Sequence, residues 1–259
     1  KSKYFYWLCI LGGLIASVRI TNIIFLLVPL LWGVKTFDDI IKPFKVVFSK
    51  KHYFFIGIVL LLIPILPQVW YIYSQTGSMS SPYGSEPFFW SDPLIWKVLF
   101  SYRKGWFVWS PILFFGLIGW IYGKKHPVFW GAALFMVINL YVISSWWCWW
   151  YGGSFGMRAL IESSVLMSFG IAFFIDKILK KRYIVFSIIL TFFIGLNVLQ
   201  THQYYYNIIH FDAMTKASYW TIFGHTHPLS PEVLKKKNEE LDYTNAYKTI
   251  HNRQYRKDL

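Results

Sequence analysis

Along the chain, apolar residues come in blocks, not at the spacing of an amphipathic helix or an alternating strand. A block of about 20 residues with few charges is long enough to cross a bilayer core as a helix. Residues 4–34 form the first block, interrupted by Ser17-Val18-Arg19-Ile20-Thr21-Asn22. It reads either as one tilted helix with Arg19 near its middle or as two half-helices meeting at the polar patch. Residues 53–73 form the next block, and Pro64 and Pro67 inside it predict a kink. Blocks at 106–122, 127–147, 157–175 and 183–200 follow. The expected fold class is therefore all-α, a polytopic transmembrane helix bundle of about six spans over residues 1–200. Residues 201–259 follow as a polar C-terminal tail, with a charged helix expected from residue 231.

The segments between blocks give a sidedness. Residues 35–52 carry five Lys and no Arg, and Lys124-Lys125 and Asp176 to Arg182 are also basic. Basic short loops stay on the cytoplasmic side. Alternation then places the long loop 74–105 and the tail 201–259 outside a cell membrane. The eight Lys and Arg of the tail pull the other way, but long segments obey the charge rule poorly.

Composition agrees with a multi-pass membrane protein. Of 259 residues, 56% are hydrophobic, 22% aromatic and only 15% charged. A soluble domain carries about 25% charged residues. The net charge of +14 does not point to nucleic acid. The basic residues lie in short loops and the tail, where sidedness and anionic lipid explain them. Cys9 and Cys148 are too few and too far apart for a metal signature or a disulfide framework. No phosphate loop, zinc motif or nucleophile elbow is present. His225-Thr226-His227 is a weak metal motif, so the metal expectation is none. Asp38-Asp39 lies among lysines and reads as the start of a short interfacial helix.

The chemistry is expected where aromatics and cations meet outside. Trp146-Trp147-Cys148-Trp149-Trp150-Tyr151 gives way to Gly152-Gly153, Gly156 and then Arg158. Trp and Tyr favour the membrane–water boundary, which makes an aromatic belt and a turn one reading. The sharper reading is a lipid-phosphate or sugar site. Arg158, Arg103, Lys104 and Arg19 would hold the phosphate, Arg by its fork and Lys as a point charge. Trp149, Trp150, Tyr151 and Tyr102 would line the sugar or the lipid. Glu162 lies four residues after Arg158, on the same helical face, and would form a structural ion pair with it. Glu86 and Asp92 are the external acidic residues between spans, and the catalytic candidates.

Three segments carry a resemblance. Ser101-Tyr102-Arg103-Lys104-Gly105-Trp106-Phe107-Val108-Trp109-Ser110-Pro111 resembles a segment that opens a membrane helix in GT-C superfamily glycosyltransferases. Trp150-Tyr151-Gly152-Gly153-Ser154-Phe155-Gly156-Met157-Arg158 is similar to a Trp-Gly-Gly-Ser-Phe-Gly-Arg pattern of the same proteins. Residues 14–34, with Arg19 between apolar halves and Pro29 near the end, resemble a third segment. The resemblance covers about residues 10–200. It implies transfer of a sugar from a polyprenyl-phosphate donor to a lipid, glycan or protein at the outer face. It leaves room for a divalent cation as cofactor. Family members use an acidic residue in a first external loop, which would precede Lys1, so the expectation is the C-terminal portion of such an enzyme. Rival expectations are a transporter or flippase for lipid-linked sugars and a non-catalytic membrane scaffold.

Overall fold

The computed structural model describes residues 2–79, 86–179 and 182–243. Among them there is no strand; one isolated antiparallel bridge joins Phe88 and Trp146. In chain order the helices are α1 (Ser2–Val18), α2 (Leu27–Leu30), α3 (Ile41–Ser49), α4 (Lys51–Leu62), α5 (Leu66–Thr76), α6 (Ile95–Phe100) and α7 (Trp106–Trp109). They continue with α8 (Leu113–Tyr122), α9 (Phe129–Ser145), α10 (Ile161–Phe174), α11 (Tyr183–Tyr205), α12 (Lys216–Ile222) and α13 (Pro231–Glu239). The chain divides into two compact units, one of residues 1–86 and 124–142 and the other of residues 87–123 and 143–259.

Among the described residues, three helical stretches are long and apolar enough to cross a membrane: Lys51–Thr76, Arg158–Ile178 and Tyr183–Tyr205. They coincide with three of the expected blocks. The remaining blocks give shorter pieces, and each interruption has a local cause. The first block ends α1 at Val18 and resumes as a 3-10 turn, Ile20–Leu26, leading into α2. Arg19 sits at the break in extended conformation, φ −156° and ψ 114°, which is the two-piece arrangement. The block 106–122 is also split. Pro111 lacks an N–H and disfavours helical backbone in the residue before it. Ser110 accordingly adopts φ −141° and ψ 63°, so α7 stops at Trp109 and α8 begins at Leu113.

In the first unit, the 3-10 turn Ile63–Ile65 joins α4 to α5 around Pro64, as the kink expectation required. Asp38-Asp39 lies in a 3-10 turn ahead of α3. Asp39 accepts from Thr36 Oγ1 at 2.8 Å and pairs with Lys42. Asp39 thus serves the turn.

In the second unit, α8 and α10 approach closely through small residues. A Cβ at Gly119 would overlap the Gly170 carbonyl, and one at Gly170 would overlap that of Gly116. Such pairs let apolar helices pack backbone to backbone where burial from water cannot drive association. Trp120 Nε1 donates to Leu166 O at 3.1 Å across the same contact.

Polarity alone predicts a division at residue 200, but α11 runs through that point to Tyr205. The residues beyond it build a second core. Trp109, Ile208, Ile209, Met214, Tyr219 and Ile222 are buried together, with Tyr102, Phe155 and Leu241 packed against them. The end of α11 is closed by Asn207 at φ 57° and by N–H groups of Ile208 and Ile209 donating to Gln203 O at 2.8 and 3.1 Å. Lys237 of α13 is buried, and its Nζ donates to Asn207 O and Ile208 O at 3.3 and 3.4 Å. Thr215 and Ser218 form a capping box at the start of α12. Thr215 Oγ1 also donates to Glu240 O at 2.8 Å, tying α12 to the end of α13.

Candidate functional site

The site grows from the turn between α6 and α7. Gly105 N donates to Ser101 O at 2.7 Å, and Lys104 N to Ser101 Oγ at 3.3 Å. A Cβ at Gly105 would collide with the Ser101 backbone, so the turn needs glycine there. This tight closure turns Arg103 and Lys104 inward. Both are buried, with 8% and 1% of their surface exposed, which for charged residues demands partners.

Arg103 finds them in Asp212. Its Nε donates to Asp212 O, and its Nη2 to both carboxylate oxygens, all at 3.1 Å. Its guanidinium carbon lies 3.9 Å from the centre of the Trp150 ring, a cation–π contact. Nη1 is buried and meets no acceptor among the described residues. Lys104 Nζ donates to the backbone carbonyls of Ser154 and Phe211. Ser154 N in turn donates to Phe211 O at 3.1 Å. The two cations thus clamp three separated segments: residues 101–105, 150–156 and 207–214.

Burial pushes the Lys104 ammonium down to about 8. Asp212 opposes that shift, while Arg103 and Arg158 add to it by repulsion. Arg158 is itself exposed, in the 3-10 turn Arg158–Leu160 ahead of α10. Arg103, Lys104 and Arg158 therefore share one neighbourhood with the carboxylate of Asp212. Such a gathering of positive charge, next to an indole face, suits an anion such as a phosphate.

His210 organises the Asp212 turn. Its Nδ1 accepts from Asp212 N at 3.1 Å and from Ala213 N at 2.9 Å. Its Nε2 meets the Tyr243 hydroxyl at 2.9 Å. A ring nitrogen accepting two N–H groups must be unprotonated. Burial lowers its proton affinity; Lys237, Lys104 and Arg103 help, and Asp212 counters.

The other expected site residues are distributed as follows. Trp149 and Trp150 are buried, Trp150 under Arg103 and Trp149 with Lys97 Nζ 6.0 Å from its ring centre. Tyr151 adopts φ 58° and lies 4.5 Å from the Trp146 ring. Tyr102 turns into the second core, its ring 5.3 Å from Tyr219 and its carbonyl accepting from Trp109 Nε1 at 3.2 Å. Glu162 is half-buried in the first turn of α10, whereas Arg158 is exposed. Asp92 is half-buried in a turn in the same unit, its N–H donating to Phe89 O at 3.1 Å. Arg19 and Glu86 belong to the other unit.

Burial pushes the Cys148 thiol up to about 11, which suits a packing residue better than a nucleophile. His225 and His227 are exposed in a turn and not on a strand. Among the described residues no group of three or more His, Cys, Asp or Glu is gathered as metal ligands.

Asp212 is the residue that sequence reasoning misses. One signal was available: it is the only acidic residue between Asp176 and Glu232, set between Phe211 and Ala213. A lone carboxylate in an apolar setting calls for a cation. No family model matches the chain, and no curated protein or solved structure is similar enough to count as a match.

Proposed function

We propose that this chain is a multi-pass glycosyltransferase of GT-C type, or its C-terminal half, acting at the outer face of a cell membrane. Its donor is a polyprenyl-phosphate-linked sugar, and its acceptor a lipid, glycan or protein. The observation that carries this reading is the group of Arg103, Lys104 and Arg158 around the carboxylate of Asp212, against Trp150. The two motif resemblances contribute most of these residues. Loop 74–105 and the residues after 200 lie outside in this reading.

In the transfer step, the acceptor hydroxyl forms a bond to the anomeric carbon while the bond from that carbon to the phosphate oxygen breaks. The acceptor proton passes to a carboxylate, for which Asp92 is the candidate in the unit that holds the cations. Glu86 remains a candidate on sequence grounds. The departing polyprenyl phosphate keeps the electron pair, and the cations stabilise its charge.

Of the three cations, Arg158 is the one exposed to a ligand. The test is binding of polyprenyl phosphate to the chain in nanodiscs. Arg158→Ala should weaken it at least tenfold, with thermal stability unchanged. Unchanged binding would remove the phosphate role. A scaffold reading has one observation in its favour: Arg103 and Lys104 spend most of their donors on Asp212 and on backbone carbonyls. A protein that binds no polyprenyl phosphate would favour it.

A further inference from the structure

A groove of about 380 Å³ opens in the second unit, and none of the three cations lines it. It is lined by the α7–α8 break from Trp109 to Leu113, by Ser164 of α10, and by α11 from Phe193 to Gln200. Ile194 and Val198 on its rim are 53% and 63% exposed, as suits residues that face lipid. The α11 residues lining it rise by about 10 Å from first to last, at 1.5 Å per residue.

Gln200 is the last of these, and its setting is unusual. Only 1% of its surface is exposed. Its Nε2 donates to the Tyr219 hydroxyl at 3.0 Å. Its Oε1 is buried and has no partner among the described residues. An unmet buried acceptor is costly, so a donor from a ligand would be bound preferentially there.

We propose that the groove holds one hydrocarbon chain of a membrane lipid whose head carries a free hydroxyl, and that this hydroxyl donates to Gln200 Oε1. The apolar run along α11 takes the chain, and the amide selects the head. A polyprenyl phosphate does not meet the requirement, because its chain has no donor and its ionised phosphate only accepts. The proposal rests on the chain being in a bilayer and not on sugar transfer.

The test is lipid retention by the full chain, read by native mass spectrometry after release from vesicles of equal phosphatidylcholine and phosphatidylglycerol. Phosphatidylglycerol offers glycerol hydroxyls, and phosphatidylcholine offers no donor. A parallel set replaces phosphatidylglycerol with phosphatidic acid at pH 8.5, which keeps the negative charge without the glycerol. Wild type should retain phosphatidylglycerol at least fivefold over either comparator. Gln200→Leu should abolish the preference. Val198→Trp, at an exposed rim position, should block the groove and reduce retention of the lipid at least fivefold. Equal retention of phosphatidylglycerol and phosphatidic acid would overturn the proposal, since charge alone would then explain it. So would a preference that survives both substitutions, or displacement of phosphatidylglycerol by stoichiometric polyprenyl phosphate. Loss of polyprenyl phosphate binding in Arg158→Ala with the preference intact would separate this groove from the transfer reading.

Discussion

Arg103 and Asp212 stand 109 positions apart in the chain and meet through three hydrogen bonds of 3.1 Å. Two of these are side chain to carboxylate, and the third joins the guanidinium to the backbone of the same residue. The pair is asymmetric in solvent, with 8% of the Arg103 side chain exposed against 24% for Asp212. It holds the loop before α7 against the segment after α11.

Removing one partner of this pair should be costly. Breaking a buried ion pair costs about 3–5 kcal/mol, and the partial exposure of Asp212 puts the expected loss near the lower end. Arg103→Ala and Asp212→Ala should each destabilise by about 3 kcal/mol in detergent-solubilised protein. The double variant should lose less than the sum, because the second truncation removes the stranded partner. Additive losses in denaturant titrations would show that the two do not act together.

Lys104 should give the unfolding free energy a slope at high pH. Its folded proton affinity is depressed to about 8 from 10.5. Between these values the unfolded chain binds more protons than the folded one, so stability rises with pH. The contribution is fully present above 10.5 and is lost as pH falls through about 8. At about 1.4 kcal/mol per tenfold change in proton affinity, the rise is about 3 kcal/mol. Wild type minus Lys104→Met, followed from pH 7.5 to 10.5, should show it; a flat difference would contradict it.

His210 should produce a separate transition in mild acid. Its folded proton affinity lies below the usual 6.5, so its contribution is present above 6.5 and is lost as pH falls through the folded value. Protonating Nδ1 costs its two backbone hydrogen bonds, about 1 kcal/mol each net. The wild-type melting temperature should drop as pH falls below 6.5. His210→Gln should flatten that drop, and equal slopes would sink the assignment.

Gly105 and Gly195 make a matched pair. A Cβ at Gly105 would meet the Ser101 backbone, whereas one at Gly195 on α11 has nothing within 4 Å. Gly105→Ala should cost about 1–3 kcal/mol through overpacking, and Gly195→Ala should cost nothing. Thermal melts of the two single variants decide this, and similar losses would contradict the tight turn.

Much of the architecture is legible in the primary structure wherever a local signal exists. Arg19 interrupts its apolar block, and Pro64 removes a backbone donor; both places are breaks or bends in the structure. The count of about six spans is less legible. Hydropathy over a window cannot see that Ser110-Pro111 divides one block into α7 and α8. The site was half legible. Arg103, Lys104 and Arg158 stand out as cations beside aromatics, but what they touch depends on a carboxylate far along the chain. Tyr102 was expected on the ligand side and instead packs on Tyr219, because an amphipathic ring near a boundary satisfies either side. Gln200 shows no pattern at all, since an amide at the end of an apolar run looks like any interfacial residue.

Lys237 braces the turn that follows α11 from a helix that is made much later. While the ribosome has yet to emit α13, the carbonyls of Asn207 and Ile208 must be served by water. The turn after that long helix therefore gains this brace only once the stretch to residue 237 has emerged, and a stop codon before Pro231 would leave it without one.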